Sequence, residues 1–162
     1  MTRPWRDRAS EERASLNPAL IAQVIAQASA GHALETAGGM PFHMSYLVVP
    51  IVLHAETRSA LPATVRTSLA SWLSENAVLR DAIQRRVTAF APLVREGLLL
   101  GLRSGSMRLE GSVIEVANPR AVVPAQDVPE LHGLLRSARL VGRLFARVGS
   151  ESTVFALWGV RP

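Results

Sequence analysis

The longest stretch of the chain with no charge and almost no polar residues runs from Met44 to His54 and predicts a buried element at the centre of the fold. It has roughly half of the ~20 residues that a membrane-spanning helix needs. Pro50 argues against a central strand, because proline lacks the N–H that a strand donates to its neighbour. The run therefore predicts a buried helix of about three turns that is bent or broken near Val49.

Apolar residues recur at helical spacing on both sides of this run. Asn17 followed by Pro18 is typical of a helix start, and Gly31 can end that helix. Farther along, the spacing predicts two amphipathic helices, over about residues 64–75 and 77–89.

A third helix is expected to begin at Pro92, and its run over residues 98–102 is apolar all round, which predicts burial. Beyond Gly105 the apolar spacing changes from the helical period to a period of two. This change, with a glycine at position 111, predicts a β-hairpin over residues 106–117.

The last part of the chain predicts one long amphipathic helix and then a strand. The helix covers residues 130–148, and the β-prone run Thr153–Trp158 is expected to add a third strand to the hairpin. The order of helices followed by a hairpin predicts an α+β fold: one mostly helical domain with a small antiparallel sheet, winged-helix-like. The same order is equally that of many small α+β interaction domains. The parts of the domain are an N-terminal arm (1–15), a helical part (18–104), the hairpin (106–117) and the C-terminal helix and strand (130–162).

Composition adds a basic character without a visible redox or secretion signal. All 18 basic residues are arginine, and the net charge of +5 is compatible with an acidic partner. The absence of cysteine excludes disulfides, cysteine-bound zinc and a thiol nucleophile. No signal-peptide pattern follows the N-terminus, so the protein is expected in the cytoplasm, without a membrane partner.

Four arginines form what we call the arginine stripe: Arg136, Arg139, Arg143 and Arg147. On a helix they fall within about 80° of each other, opposite the apolar face. The stripe is either a solvated face or a docking surface for phosphates or a partner's carboxylates. Arg85 and Arg86 should also point outward, from the helix over residues 77–89, and are further candidates for binding a partner or nucleic acid.

Candidate chemistry is otherwise sparse. His43 and His54 could share a helix face, but a metal would need a third ligand and only Glu56 is near. The chain has no Gly-x-Ser-x-Gly motif, no phosphate loop and no clustered carboxylates. We therefore expect no catalytic residues, no metal, no cofactor and no enzymatic activity.

The aromatic C-terminal end has two interpretations. Phe155 and Trp158 could close the core as part of a final strand. Alternatively, together with Arg161, they could anchor a subunit interface, where tryptophan and arginine are over-represented.

Several sequence blocks spread over nearly the whole chain resemble one known family. They are Leu16–Ala19, Met40–Pro41 through Leu53–His54, Thr57–Arg58, Leu61–Pro62, Arg66–Leu69, Trp72–Leu73, Glu75–Asn76, Pro92–Glu96 and Phe155–Pro162. The family is the middle component of the bacterial three-component ABC systems. The ending Leu157–Pro162 is its most specific part, and residues 104–129 are the least typical.

The resemblance implies a role that the residues alone do not show. Such proteins are encoded between a long coiled-coil ABC ATPase, of the chromosome-maintenance and double-strand-break-repair kind, and a variable effector. These operons resemble Lamassu-type antiphage defence systems. The resemblance thus implies a non-catalytic adaptor whose partners are the ATPase, the effector and, through the complex, DNA. The alternative is a stand-alone winged-helix regulator that binds nucleic acid.

Overall fold

The computed structural model describes residues 17–117 and 129–161. The predicted N-terminal arm over residues 1–15 lies outside these residues. The elements in chain order are α1 (Pro18–His32), β1 (Met40–Pro41), a 3-10 turn (Phe42–Met44), α2 (Ser45–Leu53), α3 (Ala55–Ala60), α4 (Leu69–Glu75), α5 (Ala77–Arg103), β2 (Met107–Glu110), β3 (Val113–Val116), α6 (Pro129–Val148) and α7 (Glu151–Trp158).

The described residues form a mostly helical domain around one hydrophobic core, with a small antiparallel sheet. The sheet has three strands in the order β1–β3–β2. This confirms the prediction of a helical α+β domain. The winged-helix arrangement of those elements stays a prediction.

Helix α1 is the element on which the other helices pack. The side chain of Asn17 caps its N-terminus by accepting a hydrogen bond from the backbone N–H of Ala19 at 2.8 Å. Its most extensive contacts are with α6 and α5, and it also touches α2, β1 and β3. The side chains of Ile21, Val24 and Ile25 are fully buried as a result.

Glycines bring α1 and α6 into close contact. A Cβ added to Gly142 of α6 would collide with the carbonyl oxygen of Ala28, and one added to Gly31 of α1 would collide with the carbonyl oxygen of Arg139. The two backbones therefore approach each other where neither has a side chain in the way. Gly31 lies inside α1, which ends at His32, so its main role is packing.

The uncharged run is a buried helix, as predicted. In α2 the side chains of Leu47, Val48 and Ile51 are fully buried, while Leu53 is only partly buried. The helix continues through Pro50 to Leu53, and the backbone of the next residue, His54, is extended (φ −81, ψ 108). The break therefore falls four residues after the proline rather than just before it.

Two predicted helix boundaries in the middle of the chain are wrong. Helix α5 is one continuous helix of 27 residues, with Pro92 inside it. Helix α4 begins only at Leu69, where the hydroxyl of Ser68 accepts a hydrogen bond from the N–H of Ser71 at 3.1 Å. The proline in α5 costs a single backbone hydrogen bond, to the carbonyl of Thr88, and packing against α1 and α2 outweighs that loss.

The prediction that the apolar run of α5 is buried all round is also wrong. Leu99 and Leu100 are 51% and 40% exposed, whereas Gly101 is buried against Met107 and Ala22. This end of α5 packs on its neighbours through only one side.

The hairpin is confirmed, and its third strand comes from a different part of the chain. Strands β2 and β3 pair in antiparallel register with Leu109 opposite Ile114, and Gly111 provides the left-handed turn residue (φ 61). On the other edge of β3, Met40 lies opposite Ile114. The hydroxyl of Ser29 donates to the carbonyl of Ile114 at 2.6 Å and ties the sheet to α1.

The predicted C-terminal strand over Thr153–Trp158 is wrong, because these residues belong to helix α7. The hydroxyl of Ser150 caps the helix by accepting from the N–H of Thr153 at 3.1 Å. Val154, Phe155 and Trp158 lie at spacings of one and three residues, so all three reach the core from one face. Burial of that face outweighs the β-propensity of the run.

Candidate partner interface

The two sides of α6 differ completely in character. Its inner face packs in the core through Leu135, Ala138, Val141 and Phe145, all buried. The arginine stripe lies on the opposite side, as predicted. Arg136, Arg139 and Arg147 are exposed and Arg143 is partly exposed.

The stripe has an acidic partner that α6 itself does not supply. Glu35, in the loop after α1, accepts hydrogen bonds from Nε of Arg143 at 2.7 Å and from Nη1 of Arg147 at 3.2 Å. Nη2 of Arg143 lies 2.6 Å from the same carboxylate. The Glu35 side chain is only 15% exposed. The two guanidinium groups therefore hold the loop against α6.

The same contacts determine the protonation state of the Glu35 carboxylate. The hydrogen bond from Arg143 lowers the pKa of Glu35 below its ordinary value. Partial burial acts in the opposite direction and raises this pKa, whereas Arg147 lowers it further. The carboxylate is therefore ionised at neutral pH. Because it lies between two cations, it compensates the C-terminal half of the stripe.

The N-terminal half of the stripe has no such acidic partner among the residues that the structure describes. Within residues 17–117 and 129–161, neither Arg136 nor Arg139 makes an ion pair or a side-chain hydrogen bond. The sequence does not predict this difference, because Glu35 and Arg143 lie 108 positions apart.

The uncompensated arginines line an open groove between α6, α3 and the segment after α3. Its volume is about 490 Å³. Four arginines surround it, and we call it the arginine groove: Arg58, Arg136, Arg139 and Arg143. The other lining residues are Leu34, Leu61, Pro62, Ala63, Gly133, Ser137 and Leu140. Among these described lining residues there is no carboxylate.

Arg58 also lines the groove, although in the sequence it stood out only within a family block and not as a binding candidate. Its Nη1 donates to the carbonyl of Val52 at 2.6 Å, in the last turn of α2. A cation at a helix C-terminus is favoured by the helix dipole, so this contact orients the guanidinium. No sequence signal links Arg58 to the stripe, because α3 and α6 come to line one groove only in the folded chain.

The other predicted binding residues lie away from the groove. Arg85 and Arg86 are exposed on α5 and do not line it. Arg161 is exposed beyond α7. Three of the predicted binding arginines thus lie together at the groove with Arg58, and Arg147 is next to them on α6.

Phe155 and Trp158 lie in the core rather than on the surface. They are 3% and 1% exposed, and the ring centres of Trp158 and Trp72 are 6.2 Å apart. The amide of Gln84 donates to the carbonyl of Trp158 at 2.8 Å and fixes the end of α7 to α5. These positions fit the interpretation that the two side chains close the core, although they do so from a helix rather than a strand.

His43 and His54, the candidate metal ligands, each contact another side chain. Nδ1 of His43 lies 2.8 Å from the carboxylate of Glu151, and Nδ1 of His54 lies 2.7 Å from the hydroxyl of Thr57. In the part of the chain that the structure describes, no three His, Cys, Asp or Glu side chains cluster as a metal site would require. Nor does any helix there have the length and apolar character needed to span a membrane.

Comparison with known families assigns the chain. A family model described as the ABC-three component (ABC-3C) system Middle Component 3 matches residues 5–162. The chain belongs to this family. The resemblance inferred from its sequence blocks is thereby confirmed, and the protein is a Middle Component 3 protein. No curated protein and no solved structure matches it.

Proposed function

We propose that this Middle Component 3 protein is a non-catalytic adaptor that joins a coiled-coil ABC ATPase to an effector in a cytoplasmic antiphage complex. The observation that carries the proposal is the family match over residues 5–162, which places the chain among the middle components of three-component ABC systems. The sequence motifs support it, because nucleophile, phosphate-loop and cysteine zinc motifs are absent from the chain.

The structure offers a surface suited to such a role. Arg136 and Arg139 are exposed and unpaired within the described residues, and they lie beside a groove that contains further arginines. Unpaired like charges repel each other and do not stabilise the fold. An acidic surface of another subunit, or DNA held by the complex, would compensate them.

Co-purification tests the adaptor proposal directly. The ATPase and effector encoded with this protein are expressed with and without it, and the tagged ATPase is isolated. The effector should co-purify only when the middle component is present. Association of ATPase and effector in its absence, or failure of the three to associate in its presence, would overturn the proposal.

Two charge-reversal variants locate the contact. Arg136→Glu with Arg139→Glu changes the α6 surface, and Arg85→Glu with Arg86→Glu makes the same change of charge on α5. We expect the α6 double variant to weaken binding of the middle component to its partner subunits by more than about tenfold. Reversing each charge removes an attraction and adds a repulsion. The α5 pair is the matched control. Loss of the complex in the α5 pair alone would place the contact on α5 instead.

The alternative is a stand-alone winged-helix regulator, for which the helices followed by a hairpin and the basic groove are the supporting features. Such a protein binds duplex DNA without its partners, with an affinity that falls steeply as salt rises. Titration of a labelled duplex with the protein alone separates the two functions. Under the adaptor proposal the isolated protein shows only weak, sequence-independent binding.

A further inference from the structure

The arginine groove has two kinds of wall. One is cationic and consists of the four guanidinium groups. The other is aliphatic, formed by Leu34, Leu61, Pro62, Ala63 and Leu140. Leu34 is 57% exposed. A ligand that fills this groove must therefore present carboxylates or phosphates together with apolar groups.

The cations differ in how firmly they are held. Arg58 is oriented by the carbonyl of Val52, and Arg143 by Glu35. Arg136 and Arg139 have no such restraint within the described residues. Two fixed guanidinium groups lower the entropy cost of binding, and two free ones can adjust to the ligand. Glu35 offsets one of the four positive charges. The groove therefore keeps a net positive charge, which attracts anions.

The lining favours an acidic peptide over a nucleic acid. No aromatic side chain is among the described lining residues, so bases would have no aromatic ring to stack on. The aliphatic wall suits leucine-like or valine-like side chains, which gain free energy when apolar surface is buried. Arginine forks also bind carboxylates in a bidentate manner.

We infer that the arginine groove binds a peptide segment that alternates acidic and aliphatic side chains. Its carboxylates pair with Arg136, Arg139 and Arg58, and its aliphatic side chains lie against Leu34 and Leu140. Within the adaptor proposal, on which this inference rests, the segment belongs to the ATPase or the effector.

A binding measurement on the purified full chain tests this inference without either partner. Three fluorescein-labelled probes are compared by anisotropy: a peptide alternating aspartate and leucine, a peptide of equal length alternating aspartate and serine, and an oligodeoxythymidine of equal charge. We expect the aspartate–leucine peptide to bind about tenfold more tightly than the aspartate–serine peptide, as burial of one or two aliphatic side chains provides.

Variants separate the two walls of the groove. Arg136→Glu with Arg139→Glu should weaken the binding of both peptides by more than about tenfold. Arg95→Glu with Arg103→Glu, two exposed arginines of α5 that do not line the groove, should leave the binding of both peptides unchanged. Leu34→Ser with Leu140→Ser should remove only the preference for leucine. Thermal unfolding of each variant establishes that it is folded. Arg136→Lys with Arg139→Lys, which keeps the charge without the fork, should give intermediate binding.

Three results would overturn the inference. They are equal affinity for the two peptides, tighter binding of the oligonucleotide than of either peptide, and affinities insensitive to the Arg136 and Arg139 reversals. Each can occur while the three components still co-purify, in which case the adaptor proposal stands and only the groove assignment fails. Conversely, peptide binding without co-purification would leave the groove assigned and remove the adaptor role.

Discussion

The inner and outer faces of α6 show how differently one helix can use its two sides. The inner face meets α1 so closely that Gly142 lies against the backbone of Ala28, and Phe145 is buried beside it. On the outer face the helix presents arginines, of which only Arg143 and Arg147 have an acidic partner within the described residues. The residues of the inner face are therefore determined by close packing, and those of the outer face by charge.

This difference determines what a mutation on each face should change. On the inner face a lost methylene or an added methyl group disturbs dense packing, so stability responds. On the outer face a change of charge alters interactions that are mostly solvated, so binding responds and stability barely does. Glu35 is the exception, because it connects the outer face to the fold itself.

The largest effect is expected from Phe145→Ala on the inner face. Removing a buried aromatic ring loses its transfer free energy and leaves a cavity, which costs about 3–5 kcal/mol of unfolding free energy. Arg139→Ala on the outer face should change it by no more than about 0.5 kcal/mol. Urea unfolding of both variants makes the comparison. Similar losses in the two would show that the faces do not differ as described.

The glycines of α6 provide a smaller and more selective test. Gly142→Ala should destabilise the protein by about 1–3 kcal/mol, because its methyl group meets the backbone of Ala28. Gly133→Ala lies on the same helix, where nothing is within 4 Å of the added Cβ. There the higher helix propensity of alanine should stabilise the protein by about 0.5–1 kcal/mol. Opposite signs in thermal unfolding are the expected result, and equal signs would contradict it.

Glu35→Gln tests whether the stripe takes part in folding. The folded state lowers the pKa of Glu35, so the stabilising contribution of this carboxylate is complete above the ordinary pKa of a glutamate, about 4.5. It is lost as the pH falls through the lowered pKa. The wild type should therefore be more stable than Glu35→Gln at neutral pH, and the two should converge on acidification. Glu75→Gln, on the exposed end of α4, is the control. A constant difference across the pH range would refute this assignment.

The smallest expected effect is a change in peptide affinity, measured with the same Glu35→Gln variant. Because Glu35 offsets part of the groove's positive charge, Glu35→Gln should increase the affinity for the aspartate–leucine peptide by roughly two- to fivefold. The increase should be smaller at high salt. Weaker binding in this variant would show that orienting Arg143 matters more than the charge of Glu35. Anisotropy titrations at two salt concentrations distinguish these results.

Much of the fold follows from local patterns in the chain. Asn17 with Pro18 specifies the start of α1, and the uncharged run specifies a buried α2. The hairpin around Gly111 follows from the change of period and the turn residue. Each of these features depends on residues that are near one another in sequence, so its physical cause is visible without the rest of the fold.

Two of the wrong predictions depended on contacts between distant parts of the chain. Thr153–Trp158 has the β-branched and aromatic residues of a strand but forms α7, because three of its side chains enter the core from a helical face. Pro92 lies inside α5 because packing along the helix outweighs one lost hydrogen bond. In both places tertiary burial provides more free energy than local propensity does.

The sequence by itself determined that α6 has an apolar face and an arginine stripe, because both follow from helical spacing alone. It also carried the family membership, since that rests on the order of residues along the chain. Only the tertiary structure decided that Glu35 compensates Arg143 and Arg147, and that Arg58 joins Arg136 and Arg139 at one groove. Charges interact over ångströms in space, and residues far apart in sequence come within that range only when the chain has folded.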